Sequence, residues 1–154
     1  MIQVWRVCAR QHARRAFAGE GARLHGGRWN PPGVAMVYTA ATLSLAALEL
    51  FVNLDPDNLP PDLVSIGATI LDDIPIESVS IDQLPSRWRD YPAPYRLQEM
   101  GAAWLEGART AVLSVPSAVI PGERNLLLNP AHPRFSRIRF GRPRPFGFDP
   151  RMWK

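Results

Sequence analysis

The chain opens on a short apolar run, Ile2-Gln3-Val4-Trp5-Arg6-Val7-Cys8, which predicts a first strand over residues 2–8. Residues 10–18 read as a short helix or a loop. Residues 19–33 carry five glycines and end in Pro31-Pro32-Gly33, which predicts a long irregular loop. A second apolar run predicts a strand at 35–39. Residues 40–54 are dominated by Ala, Leu and Phe, with Thr39 or Thr42 as cap and Asp55-Pro56 as stop, and predict a helix. Apolar alternation over 62–71 predicts a strand, broken by Asp72-Asp73 and Pro75. Three prolines (85, 92, 94) make 81–94 a loop. Leu97, Met100, Ala103 and Trp104 recur at helical spacing, so 95–106 is a helix ended by Gly107. Short strands follow at 111–115 and 118–120, separated by Pro116-Ser117. Leu126–Leu128 is a short apolar run, and 134–140 alternates apolar and basic residues as an edge strand would. Short strands and two main helices in no regular βαβ order define an α+β fold.

The 154 residues amount to one domain, 1–154, long enough to bury a core without disulfide or metal. Hydrophobic residues at 46% and charged residues at 21% exclude a disordered chain. The single cysteine, Cys8, excludes an internal disulfide and reads as a small buried hydrophobe or, less simply, a reactive thiol. His12, His25 and His132 lack metal-ligand spacing, so no metal is expected. No signal-peptide pattern opens the chain, and the apolar stretch around 43–54 is too short and too polar to span a bilayer. A cytoplasmic protein with no membrane contact is the expectation.

Charge changes the picture. Of 18 basic residues only Lys154 is a lysine, and the net charge is +4. Six arginines against Glu20 occupy residues 1–48, eleven acids occupy 49–107, and eight basic residues against Asp149 occupy 124–154. Such basic ends are either solvated surface or arginines converging on an anion, for which the planar guanidinium fork is suited. Phe135, Phe140, Phe146, Phe148 and Trp153 accompany the tail arginines together with prolines, which points to a packed tail rather than a nucleic-acid arm.

Four positions stand out for chemistry. Gly26-Gly27-Arg28-Trp29-Asn30 matches neither the dinucleotide fingerprint nor the phosphate loop. It is either a surface turn or an anion clamp in which Arg28 is the fork and Trp29 an aromatic wall. Tyr38, at a strand end, is either a core aromatic or a site residue. Glu49 is the only charged residue between Ala40 and Leu54, so it lies either on a wet stripe or in a cleft facing Arg28. Ser117 follows Pro116 without a Gly-x-Ser-x-Gly elbow, which argues against a hydrolase nucleophile.

Trp5-Arg6, Gly26–Asn30, Val37-Tyr38, Ala47-Leu48-Glu49, Val115-Pro116-Ser117 and Asn125-Leu126-Leu127-Leu128-Asn129-Pro130-Ala131-His132-Pro133, in this order, resemble the RES domain family. The likeness runs nearly the whole chain, through Phe146-Gly147-Phe148-Asp149-Pro150-Arg151, with no departure at the matching positions. The resemblance implies a fold similar to the ADP-ribosyltransferase toxins. It implies a toxin of a type II toxin–antitoxin pair that breaks the nicotinamide–ribose bond of NAD, its substrate. By the same resemblance Arg28, Tyr38, Glu49 and Ser117 are the catalytic set, and Arg28, Trp29, Tyr38 and Asn129 contact NAD. The implied partner is an Xre-like helix-turn-helix antitoxin that covers the cleft and does the DNA binding. A dimer within that complex stays open. Two rival functions stay open as well: transfer of ADP-ribose to a protein, and a basic nucleic-acid-binding or RNA-cleaving toxin.

Overall fold

The computed structural model describes residues 1–153; Lys154 lies outside them. The elements in chain order are β1 (Ile2–Ala9), α1 (Glu20–His25), β2 (Val37–Ala40), α2 (Leu43–Phe51), β3 (Leu63–Ile70), β4 (Ile76–Ser78), α3 (Tyr95–Gly107), β5 (Val112–Pro116), β6 (Arg124–Leu128), β7 (Arg139–Phe140) and β8 (Arg144–Phe146). The strands form one mixed sheet in the order β4-β5-β6-β2-β1-β3-β7, with β8 also on β3. Only β4–β5 is parallel. The expected α+β fold is what forms.

The sheet has two well-knit halves. β1 pairs along its whole length with β3, from Ile2–Ile70 to Ala9–Leu63. β3 is buried on both faces, which is why its sequence reads as nearly continuous apolar residues. In the other half β2 pairs with β6 through four registered pairs and β6 with β5 through five. The two halves meet at a single registered pair, Trp5–Ala40. Beyond it β1 and β2 part, and the gap between them opens into a cleft.

Helix α2 lies against β1 and β2 and buries Leu45 and Ala46. Its cap is Thr42, whose side chain accepts from the Leu45 N–H at 3.1 Å. Thr39 instead belongs to β2 and donates its hydroxyl to the Leu126 carbonyl at 2.7 Å. The C-terminal end of α2 is gripped by the tail: Phe51 meets Phe148 and Trp153, and Phe148 meets Phe146. The packed tail is thus real, and the strand β8 that carries Phe146 pairs with β3.

Several expected boundaries moved. The 19–33 loop contains the six-residue α1, entered through Gly19 and left through Gly26, both at positive φ, with Glu20 paired to Arg23 in its first turn. Residues 10–15 form a 3-10 turn. The second strand of the hairpin is not 118–120 but β6. Ser117 N–H bonds the Glu123 carbonyl at 2.9 Å, so 117–123 closes the β5–β6 connection. The 134–140 stretch is a 3-10 turn over Pro133–Arg137, opened by Pro133, and only Arg139–Phe140 pairs. β4 and β8 escaped notice because three residues carry too little pattern, and β8 has a proline in its middle, which suits an edge. Cys8 is partly buried, and burial pushes its thiol above the ordinary value.

Helix α3 buries Leu97, Gly101 and Trp104 on one face. A Cβ at Gly101 would lie 1.6 Å from the Trp29 carbonyl oxygen, so the glycine is what lets the 26–30 loop dock on the helix. Gly101→Ala is therefore expected to destabilise the fold by about 1–3 kcal/mol. Gly21→Ala in α1, where a Cβ meets nothing, is expected to stabilise by about 0.5–1 kcal/mol through helix propensity alone. Urea denaturation midpoints check both signs, and equal shifts would refute the docking argument.

Candidate active site

The 26–30 loop is built around Asn30, which is fully buried. Its Nδ2 donates to the carbonyls of Ala22, Pro31 and Val34 at 2.8, 3.0 and 3.2 Å. Its Oδ1 accepts the Tyr38 hydroxyl proton at 2.6 Å, and that hydroxyl accepts from the Trp29 N–H at 3.0 Å. Gly27 passes so close that a Cβ there would sit 2.6 Å from the Tyr38 oxygen. Gln98 of α3 donates to the Gly27 carbonyl at 2.9 Å. Strand β2, helix α3 and α1 thus hold one short loop from three sides. Burial pushes the Tyr38 phenol well above its ordinary range, so it stays a neutral donor.

This frame turns Trp29 inward and Arg28 outward. Trp29 borders the cleft but is only 3% exposed and packs with Met36, Leu97 and Trp104. The ring expected as an aromatic wall is placed at the edge of the cleft and mostly in the core, because loop and helix close over it. Arg28 is half-buried, and its Nη1 donates to the carbonyls of Trp88 and Asp90 at 2.7 and 3.1 Å. Burial lowers its guanidinium from the ordinary value, and the charge of Glu49 is the main opposing influence. Among the described residues Arg28 has no carboxylate within ion-pair distance.

Glu49 and Ser117 meet across 68 residues of sequence. The Ser117 hydroxyl, 1% exposed, lies 3.0 Å from Glu49 Oε1. It also accepts the N–H groups of Val119 and Ile120, each at 3.1 Å. A hydroxyl has one proton and two lone pairs. With both lone pairs taken by amides, its proton is committed to the carboxylate. Glu49 Oε1 is thereby held as an acceptor, and among the described residues no hydrogen bond engages Oε2.

Arg28, Tyr38 and Glu49 all line one cleft of about 1430 Å³ at the parting of β1 and β2. That is ample for a dinucleotide, since small-ligand sites run to roughly 1000 Å³. Asn129 does not line it. Its Oδ1 accepts from the Ala131 N–H at 3.0 Å in a turn after β6. The sequence reading passed over Arg6. It lines the cleft from β1, donates Nη1 to the Tyr38 carbonyl at 3.0 Å, and keeps Nε buried without a partner. A lone arginine within an apolar strand was the available signal. Among the described residues no group of three or more His, Cys, Asp or Glu is placed to hold a metal ion. No helix there is long and apolar enough to cross a membrane.

The fold has a solved counterpart. A chain of the M. tuberculosis MbcT–MbcA toxin–antitoxin complex superposes with a TM-score of 0.74, covering 99% of this chain and 86% of that one at 19% identity. The architecture, with its mixed sheet and few helices, is therefore that of this solved chain. A model of the RES domain matches residues 3–149, and the chain belongs to the RES domain family. A "Prs ADP-ribosylating toxin" of Sphingobium sp. (strain YBL2) is 38% identical over 152 residues, 96% of this chain and 94% of that protein. A "Toxin Res" of Yersinia enterocolitica is 36% identical over 157 residues, 98% of this chain and 99% of that protein.

Tyr38→Phe strips the loop of one donor and one acceptor and leaves Asn30 Oδ1 and the Trp29 N–H buried and unpaired. The expected loss is about 1–3 kcal/mol of stability. Thermal unfolding reads it, and an unchanged melting temperature would count against the loop clamp.

Proposed function

We propose that this chain is the toxin of a toxin–antitoxin pair and an enzyme that breaks the nicotinamide–ribose bond of NAD. The observation that carries the reading is Glu49, oriented by the single proton of Ser117 and facing Arg28, whose charge no carboxylate neutralises. The names of the Sphingobium and Yersinia relatives support a toxin, and the first of them supports chemistry on an ADP-ribose donor.

The chemistry follows from charge. When the glycosidic bond breaks, its electron pair leaves with the pyridinium nitrogen, and nicotinamide departs neutral. The positive charge passes to the ribosyl carbon and its ring oxygen. A fixed carboxylate beside that carbon stabilises it more than it stabilises the ground state, as in glycoside hydrolysis. Glu49 is assigned this role, with Oε1 held by Ser117 and Oε2 left for a ribose hydroxyl. Arg28 is assigned to the diphosphate, where a charge-assisted fork fits. The Tyr38 ring is assigned to the wall of the nicotinamide pocket while its hydroxyl keeps the loop in place. Water completes hydrolysis, adding hydroxide to the sugar carbon and releasing a proton; phosphate in its place gives phosphorolysis. The proposed partner is an antitoxin with an Xre-like helix-turn-helix domain, seated over this cleft.

Nicotinamide release from NAD by the purified protein tests the reading. Glu49→Gln and Arg28→Ala are each expected to lose roughly two to three powers of ten in rate. Ser117→Ala is expected to lose rate as well, because it frees the carboxylate. Equal rates in wild type and variants would remove the site from the chemistry. A second reading, transfer of ADP-ribose to a protein, is favoured by the name of the Sphingobium relative. Incubating lysate with NAD labelled in its adenine half separates the two, since only transfer leaves label on protein.

A further inference from the structure

We propose that Arg89 is the second arm of a diphosphate clasp whose first arm is Arg28, and that it sets the preference for dinucleotides over mononucleotides. This rests on the NAD reading above and extends it to a residue outside the family's named set.

The placement comes from the backbone. Arg28 donates Nη1 to the carbonyls of Trp88 and Asp90, the two residues that flank Arg89. Arg89 in turn donates Nε to the carbonyl of Ala118 at 3.0 Å, one residue beyond Ser117. The two guanidinium groups are thereby brought to the same part of the cleft, which both residues line. Each spends only part of its donors on carbonyls. Arg28 keeps Nε and Nη2, and Arg89 keeps both terminal nitrogens, with no protein partner among the described residues.

Two like charges side by side repel unless an anion sits between them. The nearest acidic neighbour in sequence does not serve. Asp90 turns its carboxylate to Arg87 at 2.7 Å and presents only its carbonyl to Arg28. Glu49 acts on Arg28 through its charge, but among the described residues it forms no ion pair with Arg28 or Arg89. A ligand with two adjacent anionic groups, each able to accept a fork, matches such a pair, and a diphosphate has that chemistry. A mononucleotide would engage one arm only. The link to Ala118 adds a reason for accuracy: Arg89 is tied to the same turn that orients Glu49, so the diphosphate and the carboxylate share one reference frame.

The experiment combines kinetics and binding on wild type, Arg89→Gln, Arg89→Lys and the surface control Arg96→Ala. Nicotinamide release is measured from NAD and from nicotinamide mononucleotide. Inorganic pyrophosphate is titrated by calorimetry at fixed ionic strength. In Arg89→Gln the KM for NAD is expected to rise roughly tenfold or more, with kcat little changed. The KM for the mononucleotide should move far less. Pyrophosphate affinity should fall by a similar factor, and Arg89→Lys should recover part of it by keeping the charge without the fork. Arg96→Ala should match wild type.

An unchanged KM for NAD, or a pyrophosphate affinity equal in wild type and Arg89→Gln, overturns the clasp. A loss confined to kcat overturns it too, because that is what a mere tie to Ala118 would give. If wild type releases nicotinamide from neither substrate, the NAD reading fails, and the pyrophosphate titration alone decides. Binding that Arg89→Gln loses upholds the clasp; no binding by wild type rejects it.

Discussion

The single registered pair between Trp5 and Ala40 is the constraint on which the site depends. Full pairing of β1 with β2 would close the sheet and leave no cleft. Complete parting would split the core in two. The compromise leaves backbone groups of β2 facing a gap, and one of them, the Tyr38 carbonyl, is satisfied by Arg6 from β1. An unpaired buried carbonyl is costly, so a long donor that can reach across the opening keeps the gap stable. The guanidinium is itself largely buried, with Nε unpartnered, so bridging the opening carries a desolvation cost of its own.

Much of this was legible in the sequence, for identifiable reasons. The apolar runs that became β1 and β3 are long enough for their period to show, and α2 and α3 carry both apolar faces and stops. The pairing of Glu49 with Ser117 was approachable only through residue order, because 68 positions separate them and no local pattern links a helix to a hairpin turn. The surroundings of Trp29 and Asn129 were not legible in the same way. Each sits inside a matching motif, but a motif does not say which way a side chain faces. Trp29 turns inward because Gly101 makes room for its backbone on α3, a fact held in a residue 72 positions away. Asn129 was captured by its own turn. Asn30, which no functional pattern singled out, proved to hold the loop.

The arginine excess resolves into populations with different partners. Arg10, Arg23, Arg87, Arg96, Arg109, Arg137 and Arg151 meet carboxylates at exposed positions, where such pairs add little stability. Three that line the cleft, Arg6, Arg28 and Arg89, donate instead to backbone carbonyls. A carbonyl positions a guanidinium without neutralising it. The acidic middle of the chain thus pairs with five of these seven surface arginines, while the three cleft arginines keep their charge unpaired among the described residues.

Ser117 ends with no spare capacity. Its oxygen receives two amides and its proton is given to Glu49. An oxygen so engaged has no free lone pair with which to attack a carbonyl or phosphorus. Reagents that acylate or phosphonylate activated serines would find nothing to react with here, even though a serine and a carboxylate lie within hydrogen-bond distance. What the hydroxyl supplies is direction: it turns a flexible glutamate into a fixed reference point for positive charge.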